Sequence, residues 1–294
     1  MDAGQIQQVR SFNRAVTQRI GALEDDYLSR GRPLGEARLI FEIGHSGGTD
    51  LRALRRKLGL DSGYMSRLLR SLEAQGLVQS RKKAGDGRAR ELSLTDKGCE
   101  EYETYDTLSD GLAHSILSGL NKLQRERLVT AMNEVERLIR VAGIVIVLES
   151  ADSEDAQSCL GQYRTELASR FDGGFDPSKG NNLTVEEMTP PAGYLLVARL
   201  DGRPIGCGAL KRLSEKEGEV KRVWTSPDAR GLGVAGKMMD SLEQLARDVG
   251  FRVVKLDTNR TLTEAQAMYS KRGYRTIERY NDNPYAHHWF EKDV

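Results

Sequence analysis

The run Arg230-Gly231-Leu232-Gly233-Val234-Ala235 has the make-up of an anion cradle. It follows a strand-like stretch, Glu219 to Thr225, and a turn at Ser226-Pro227-Asp228, and it opens a helical stretch that reaches about Asp248. A glycine-bearing turn between a strand and a helix leaves backbone N–H groups unpaired and pointing one way, and the helix dipole adds partial positive charge there. Such a turn suits a diphosphate, and Arg230 adds a cation at its mouth. A phosphate-bearing cofactor is therefore expected in the second half of the chain. Gly231, Gly233 and Gly236 also spell G-x-G-x-x-G, the string of dinucleotide folds. The flanking segments argue against that reading. Asp201-Gly202 separates two alternating apolar runs, Tyr194 to Leu200 and Ile205 to Leu210, which predicts an antiparallel hairpin rather than repeated βαβ units.

Two stretches carry a resemblance to a known family. The segment Glu219-Val220-Lys221-Arg222-Val223-Trp224-Thr225-Ser226-Pro227-Asp228-Ala229-Arg230-Gly231-Leu232-Gly233-Val234-Ala235 resembles the central motif of the GNAT N-acetyltransferases. Arg230, Gly233 and Ala235 meet its Gln/Arg-x-x-Gly-x-Gly/Ala pattern. The segment Ala265 to Tyr274 is similar to the family's second motif, a helix ending in Tyr-x-x-x-Gly-aromatic. The resemblance runs from about Ile144 to the C-terminus. It implies an α/β acyltransferase fold with a mixed, largely antiparallel sheet, and acetyl-coenzyme A as donor. By the same likeness, the pantetheine arm pairs with the backbone of Val223, Trp224 and Thr225, and the diphosphate sits on Gly231, Leu232, Gly233, Val234, Ala235 and Gly236 beside Arg230. Tyr269 matches the proton donor to the leaving thiolate, and a phenol with a pKa of ~10 suits that task. Glu219, at the head of the central strand, is the candidate base for the amine. One departure stands out. The family often has Asn seven residues before the Tyr, where this chain has Leu262; Asn259 lies three residues earlier. The tail Asn283-Pro284-Tyr285 resembles a loop that approaches the acceptor site in one branch of the family.

At 294 residues the chain predicts two domains. Up to about Gly143 it reads as mostly helical, with helices expected over Ile6 to Leu28 and Gly35 to Ile43. A helix N-capped by Thr49 and broken at Gly59, then a second from Ser62 to Gly76, give the helix-turn-helix outline. Strands are expected over Leu77 to Arg81 and Arg88 to Leu94, with Ala84-Gly85-Asp86-Gly87 between them as a wing. From Thr49 to Arg90 there are eleven Lys/Arg against four Asp/Glu, a net of +7, while the whole chain is only +1. The positive charge is concentrated where duplex DNA would dock. Leu77 to Arg81, Asp86-x-Arg88 and Leu94-Thr95-Asp96-Lys97-Gly98 together resemble the MarR family of winged-helix regulators over about residues 5 to 142. That likeness implies that Ser62, Tyr64, Ser66, Arg67 and Arg70 face the major groove or its phosphates, and that Arg88 and Arg90 lie on the wing. It also implies a homodimer paired through the first and last helices. Leu128, Met132, Val135, Leu138 and Ile139 form an apolar stripe on the last of these.

The expected division is residues 1–142 for DNA binding and dimerisation and 143–294 for acetyl transfer, with a very short hinge near Ala142-Gly143. No stretch reaches the ~20 apolar residues that span a bilayer. No charged-then-apolar leader begins the chain, and Cys99, Cys159 and Cys207 have no metal spacing, so a reducing cytoplasm is expected. The longest irregular stretch, Asp172 to Pro191, falls where an acceptor site would be built. The reading is a regulator that binds a DNA operator and also acetylates a small amine or amino-acid-like acceptor. The open alternatives are a regulator that senses acetyl-coenzyme A without turnover, and an enzyme that keeps the winged helix only for dimerisation.

Overall fold

The computed structural model describes residues 2–83, 86–171, 174–176, 179 and 183–294, and the side chains of residues 83 and 86–89 lie outside the description. The chain divides into two compact units, Met1–Met132 and Asn133–Val294.

In the first unit, α1 (Ala3–Arg19) begins at an Asp2 and Gln5 capping box and buries none of its residues. It is shorter than the helix expected from Ile6 to Leu28; a separate 3-10 turn holds Tyr27–Ser29. The second helix, α2 (Leu34–His45), follows Pro33, as expected of a helix entered from proline. Thr49 and Asp50 form a short strand, β1 (Thr49–Asp50), pairing with Leu92 and Glu91. The cap of α3 (Leu51–Leu58) is therefore Asp50, whose Oδ1 accepts from Ala53 N at 3.0 Å, and not Thr49. Asp61 does the same for α4 (Ser62–Ala74), accepting from Tyr64 N at 2.9 Å. Met65, Leu68, Leu69 and Leu72 recur at the spacing of one helical face, and that face is buried. Two antiparallel strands follow, β2 (Val78–Lys83) and β3 (Asp86–Leu94), which with β1 make a sheet in the order β1-β3-β2. Thr95 caps α5 (Asp96–Ser118), and α6 (Lys122–Ala142) comes next, crossing the division between units. Leu39, Ile40, Ile43, Met65, Leu72, Leu77 and Leu92 form the fully buried heart of this unit.

The second unit is a seven-stranded sheet with helices on both faces. Its elements are β4 (Val145–Glu149), α7 (Glu154–Arg170), β5 (Gly193–Leu200), β6 (Arg203–Arg212), β7 (Glu217–Thr225), α8 (Val234–Asp248), β8 (Val253–Thr258), α9 (Thr263–Lys271), β9 (Arg275–Ile277) and β10 (His288–Asp293). The order is β4-β5-β6-β7-β8-β10-β9, antiparallel except for β7 beside β8. The turn at Asp201-Gly202 has positive φ at both residues, 51° and 73°, the conformation that matches strand twist in a two-residue hairpin. Alternation along β5 sends Leu196, Ala198 and Leu200 to the cluster beneath α8, and Leu195 and Val197 to the cluster beneath α7.

Candidate functional site

The site starts from one irregularity in β7. Cys207 of β6 pairs with Trp224, but Ala209 pairs with Lys221, so Arg222 and Val223 together face Gly208. Arg222 sits at φ 55°, the left-handed conformation of a bulge residue. The bulge turns β7 just past its last pairs with β8. Those parallel pairs run only from Glu217 with Val253 to Glu219 with Lys255. Beyond them the two strands part into a wedge. Ser226 N donates to Ile205 O at 2.9 Å on the β6 side. By strand alternation the amides of Val223 and Thr225 point the other way, into the wedge, with Trp224 turned toward β6. The wedge thus offers main-chain donors and acceptors that no strand takes up.

Two cavities lie in it. One, of about 280 Å³, runs from Tyr269 along Val223, Trp224 and Thr225 to Arg230 and Ala235 at the start of α8. The other, of about 120 Å³, lies between Lys221 and Arg222 of β7, Asp257 of β8, Phe171, and Tyr285 of the C-terminal loop. Tyr163, Leu167, Val223, Leu262, Ala265 and Tyr269 line both, so the cavities meet at the two tyrosines.

At the far end of the larger cavity is the glycine turn. Gly231 and Gly233 have φ 80° and 73°, and a Cβ built on either, or on Gly236, meets nothing within 4 Å. Gly233 is the N-cap of α8 and brings no side chain to satisfy the first amides. Among the described residues the N–H groups of Gly231, Gly233, Val234, Ala235 and Gly236 reach no backbone carbonyl, and the first helical bond is Lys237 N to Gly233 O at 3.0 Å. Leu232 is buried beneath this turn and serves packing. Arg230, expected as a free cation at the mouth, is tied to Glu166 Oε2 at 2.6 Å, and the same oxygen accepts from Trp224 Nε1 at 2.8 Å. Thr225 Oγ1, on the wall of the cavity, is buried without a hydrogen-bond partner. Open amides, room where side chains would be and an orphaned hydroxyl together fit a long anionic ligand with amide groups.

Tyr269 is buried on α9, 7% exposed, and no protein group among the described residues hydrogen-bonds its hydroxyl. Burial, and more weakly the nearby Tyr163 and Asp257, push its pKa well above the ordinary 10. The sequence alone implies an ordinary phenol; the buried one stays protonated throughout the neutral and mildly alkaline range. Tyr163 is likewise pushed up, to about 12, chiefly by burial.

Glu219 lies elsewhere than a base should. It is 1% exposed and borders neither cavity. Its Oε1 accepts from Tyr280 OH at 2.8 Å, Asn281 Nδ2 at 3.0 Å and Lys221 Nζ at 3.1 Å. Three donors on one oxygen make it an anchor for the loop after β9, and it does not line the cavity that Lys221 and Asp257 border. The carboxylate that lines the smaller cavity is Asp257, whose Oδ2 lies 3.2 Å from Lys221 Nζ, the ammonium it shares with Glu219. Asn259 holds the turn after β8, donating to Tyr285 O at 2.7 Å and accepting from Thr261 N at 2.9 Å, and it also lines the smaller cavity, while Leu262 lines both. Tyr285 meets Phe171 and Phe175 on the cavity wall, where the Pro-Tyr loop was expected. Gly180, Asn181 and Asn182 of the long irregular stretch lie outside the described residues. Nothing local in the sequence marks Tyr163, Glu166 or Asp257, so sequence reasoning does not find them.

The Acetyltransferase (GNAT) family model matches residues 162–274, beginning one residue before Tyr163. The IAA acetyltransferase of Azospirillum brasilense is 32% identical over 120 residues, which cover 40% of this chain and 78% of that protein. The chain belongs to the GNAT family of acetyltransferases. Acetyl-coenzyme A is the donor that this family uses. A solved GNAT acetyltransferase from Elizabethkingia anophelis, with acetyl-CoA bound, aligns at 16% identity and a TM-score of 0.40, over 52% of this chain and 99% of that one.

The first unit of this GNAT chain is a winged helix-turn-helix. On α4, Ser62, Tyr64, Ser66, Arg67 and Arg70 are all exposed, as is Arg90 on β3. The Arg67 guanidinium stacks over the Tyr64 ring at 5.6 Å, and Arg70 Nε donates to Ser66 O at 3.2 Å. Ser66, Arg70 and Arg90 come together on a cleft of about 250 Å³ between α4 and the wing. The Arg88 side chain lies outside the described residues. The MarR family model matches residues 30–89. The HTH-type transcriptional regulator BilQ of Clostridium symbiosum is 28% identical over 105 residues, 36% of this chain and 73% of that protein.

Proposed function

We propose that the second unit transfers an acetyl group from acetyl-coenzyme A to the amino group of a small molecule, and that the first unit binds an operator in double-stranded DNA as a dimer. The observation that carries the enzymatic reading is the open wedge between β7 and β8, whose two cavities meet at Tyr269. The donor supplies the acetyl group as a thioester. The amides of Val223 and Thr225 pair with its amide-bearing arm, and Thr225 Oγ1 gains a partner there. The amides from Gly231 to Gly236 hold its diphosphate, with Leu232 packing the turn from below, and Arg230 exchanges Glu166 for a phosphate oxygen. Tyr269 gives its proton to the departing sulfur. A phenol held neutral by burial is always ready to donate and never competes as an anion.

On the DNA side, Ser62, Tyr64, Ser66 and Arg67 present the exposed face of α4 to the major groove, while Arg70 and Arg90 take phosphates between helix and wing, with Arg88 at the wing itself. A second copy covers the apolar residues that α1 and α6 leave bare: Ile6, Val9 and Phe12 on one, Met132, Leu138 and Ile139 on the other. Calorimetric titration of coenzyme A against the intact chain tests the first half of the proposal; absence of binding removes it. Gel retention of the promoter DNA adjoining its own coding sequence, compared for wild type and the double variant Arg67→Ala, Arg90→Ala, tests the second. Equal retention of both proteins would sink it.

A further inference from the structure

The smaller cavity has walls of three chemistries. Phe171, Phe175 and Tyr285 make an apolar corner, their ring centroids 5.0 to 5.9 Å apart. Asp176 N donates to the Tyr285 hydroxyl at 2.9 Å, which fixes that ring. Arg222 contributes a guanidinium, placed by the bulge over the Tyr163 ring at 5.9 Å and steadied by a bond from Nη2 to Leu183 O at 3.4 Å. Asp257 contributes a carboxylate whose position is set by Asn281 Nδ2 at 2.6 Å, Asn283 Nδ2 at 2.8 Å and Lys221 Nζ at 3.2 Å. The space enclosed is about 120 Å³. A dry cavity of ~150 Å³ takes up one benzene ring, so the space is of the order of one side chain, and it joins the larger cavity at Tyr163 and Tyr269. Arg222 lines the cavity with a cation, Asp257 with a carboxylate paired to Lys221, and Phe171, Phe175 and Tyr285 with rings; Tyr163 and Tyr269 line it too.

We propose that the acceptor is a free α-amino acid with an apolar or aromatic side chain. The proposal rests on the acetyl-transfer reading and narrows it. The fork of Arg222 matches a carboxylate, because a planar guanidinium presents its donors in that geometry. Asp257 attracts the ammonium group to the side opposite Arg222, and the Phe171, Phe175 and Tyr285 corner takes the side chain. A polyamine has no group for Arg222, and a peptide has no free carboxylate beside its amino group. In the transfer, the ammonium first gives one proton to solvent by way of Asp257. The neutral nitrogen then bonds to the acyl carbon as the carbon–sulfur bond breaks. The Tyr269 proton goes to sulfur, and the proton left on the new amide nitrogen returns to the Tyr269 oxygen.

The test is binding, so it does not depend on turnover. L-phenylalanine, L-leucine, phenethylamine and spermidine are titrated calorimetrically against the intact chain saturated with coenzyme A. L-phenylalanine is expected to bind about tenfold or more tightly than phenethylamine, the difference of one charge-assisted hydrogen-bonded pair. Arg222→Gln is expected to erase that ratio while coenzyme A binding stays unchanged. Phe175→Ala, a milder change on the apolar wall, is expected to weaken L-phenylalanine several-fold and phenethylamine equally. Phenethylamine binding as tightly as L-phenylalanine, or no amino acid binding at all to a chain that holds coenzyme A, overturns the proposal. A chain that does not hold coenzyme A removes the acetyl-transfer reading as well.

Discussion

Arginines do opposite jobs in the two units. On α4 and the wing, Arg67, Arg70 and Arg90 are exposed, kept in place by little more than a stacked tyrosine and a backbone carbonyl. In the acetyltransferase unit Arg222 is drawn into a cavity, where burial lowers its pKa, and Arg230 is tied down by Glu166. The proposed ligands would account for the contrast. A duplex is large, anionic everywhere and approached from outside, so loosely held exposed cations suffice and salt competes with them. A free amino acid offers a single carboxylate, so a cation that selects it has to be fixed and shielded from water. Affinity in the first unit should therefore spread over several residues, and in the second it should hang on one or two.

Four experiments sharpen or break that contrast. The largest effect is expected at the wedge: Tyr269→Phe should lower the rate of acetyl transfer, followed by thiol release, by ~100-fold or more. Coenzyme A affinity should stay within about twofold, because the lost hydroxyl has no hydrogen-bond partner to strand among the described residues. Because burial already holds the phenol neutral, the wild-type rate should show no loss from Tyr269 ionisation as pH rises through the mildly alkaline range. A steep alkaline fall that vanishes in Tyr269→Phe would contradict the raised pKa.

Next comes the spread of affinity in the first unit. The double variant Arg67→Ala, Arg90→Ala should weaken DNA binding by ~10- to 100-fold and flatten the slope of log affinity against log salt by about 1, for the phosphate that Arg90 no longer neutralises. An unaltered slope would mean that Arg90 meets no phosphate.

Gly236→Glu is expected to weaken coenzyme A about tenfold. It places a carboxylate at the start of α8, where the diphosphate belongs, and its Cβ enters open space, so the fold should be untouched. Melting curves that match wild type, with unchanged coenzyme A affinity, would move the diphosphate elsewhere.

The smallest effect concerns what holds the first unit together. Glu101 accepts from Arg30 at 2.7 and 3.0 Å and from Arg32 at 2.6 Å, and these bonds, Arg30's first, hold its carboxyl below the ordinary value of 4.5. A carboxyl with a lowered folded-state pKa contributes stability that is present above the ordinary value and is lost as pH falls through the lowered one. Glu101→Gln should cost ~1–2 kcal/mol at pH 7 by chemical denaturation. The difference should shrink below about pH 4. A gap that is constant with pH would show that the ion pairs contribute nothing.

The same contrast explains what could be read from the sequence. The hairpin at Asp201-Gly202, the alternation along β5 and the buried face of α4 depend on neighbours two to four residues away, and all are legible. Thr49 misleads because its partner, Leu92, lies more than forty residues on and draws it into a strand, leaving the cap to Asp50. Glu219 misleads for the same reason. The groups that satisfy it, Tyr280 and Asn281, sit some sixty residues further along the chain. Tyr163, Glu166 and Asp257 carry no local signal, and only the fold brings them to one cleft. The residues proposed to face DNA need no such convergence, since one helix and one strand display them.

The extra residue at Arg222 and Val223 makes the length of β7 a functional quantity in its own right. Deleting Arg222 would let a regular ladder run from Lys221 opposite Ala209, through Val223 opposite Gly208, to Trp224 opposite Cys207, with every later pair unchanged. The positive-φ corner would be gone, and with it the local bend that carries β7 away from β8. Straightening this single strand should thus narrow both cavities at once, even in a protein that still folds and keeps Trp224 under α7.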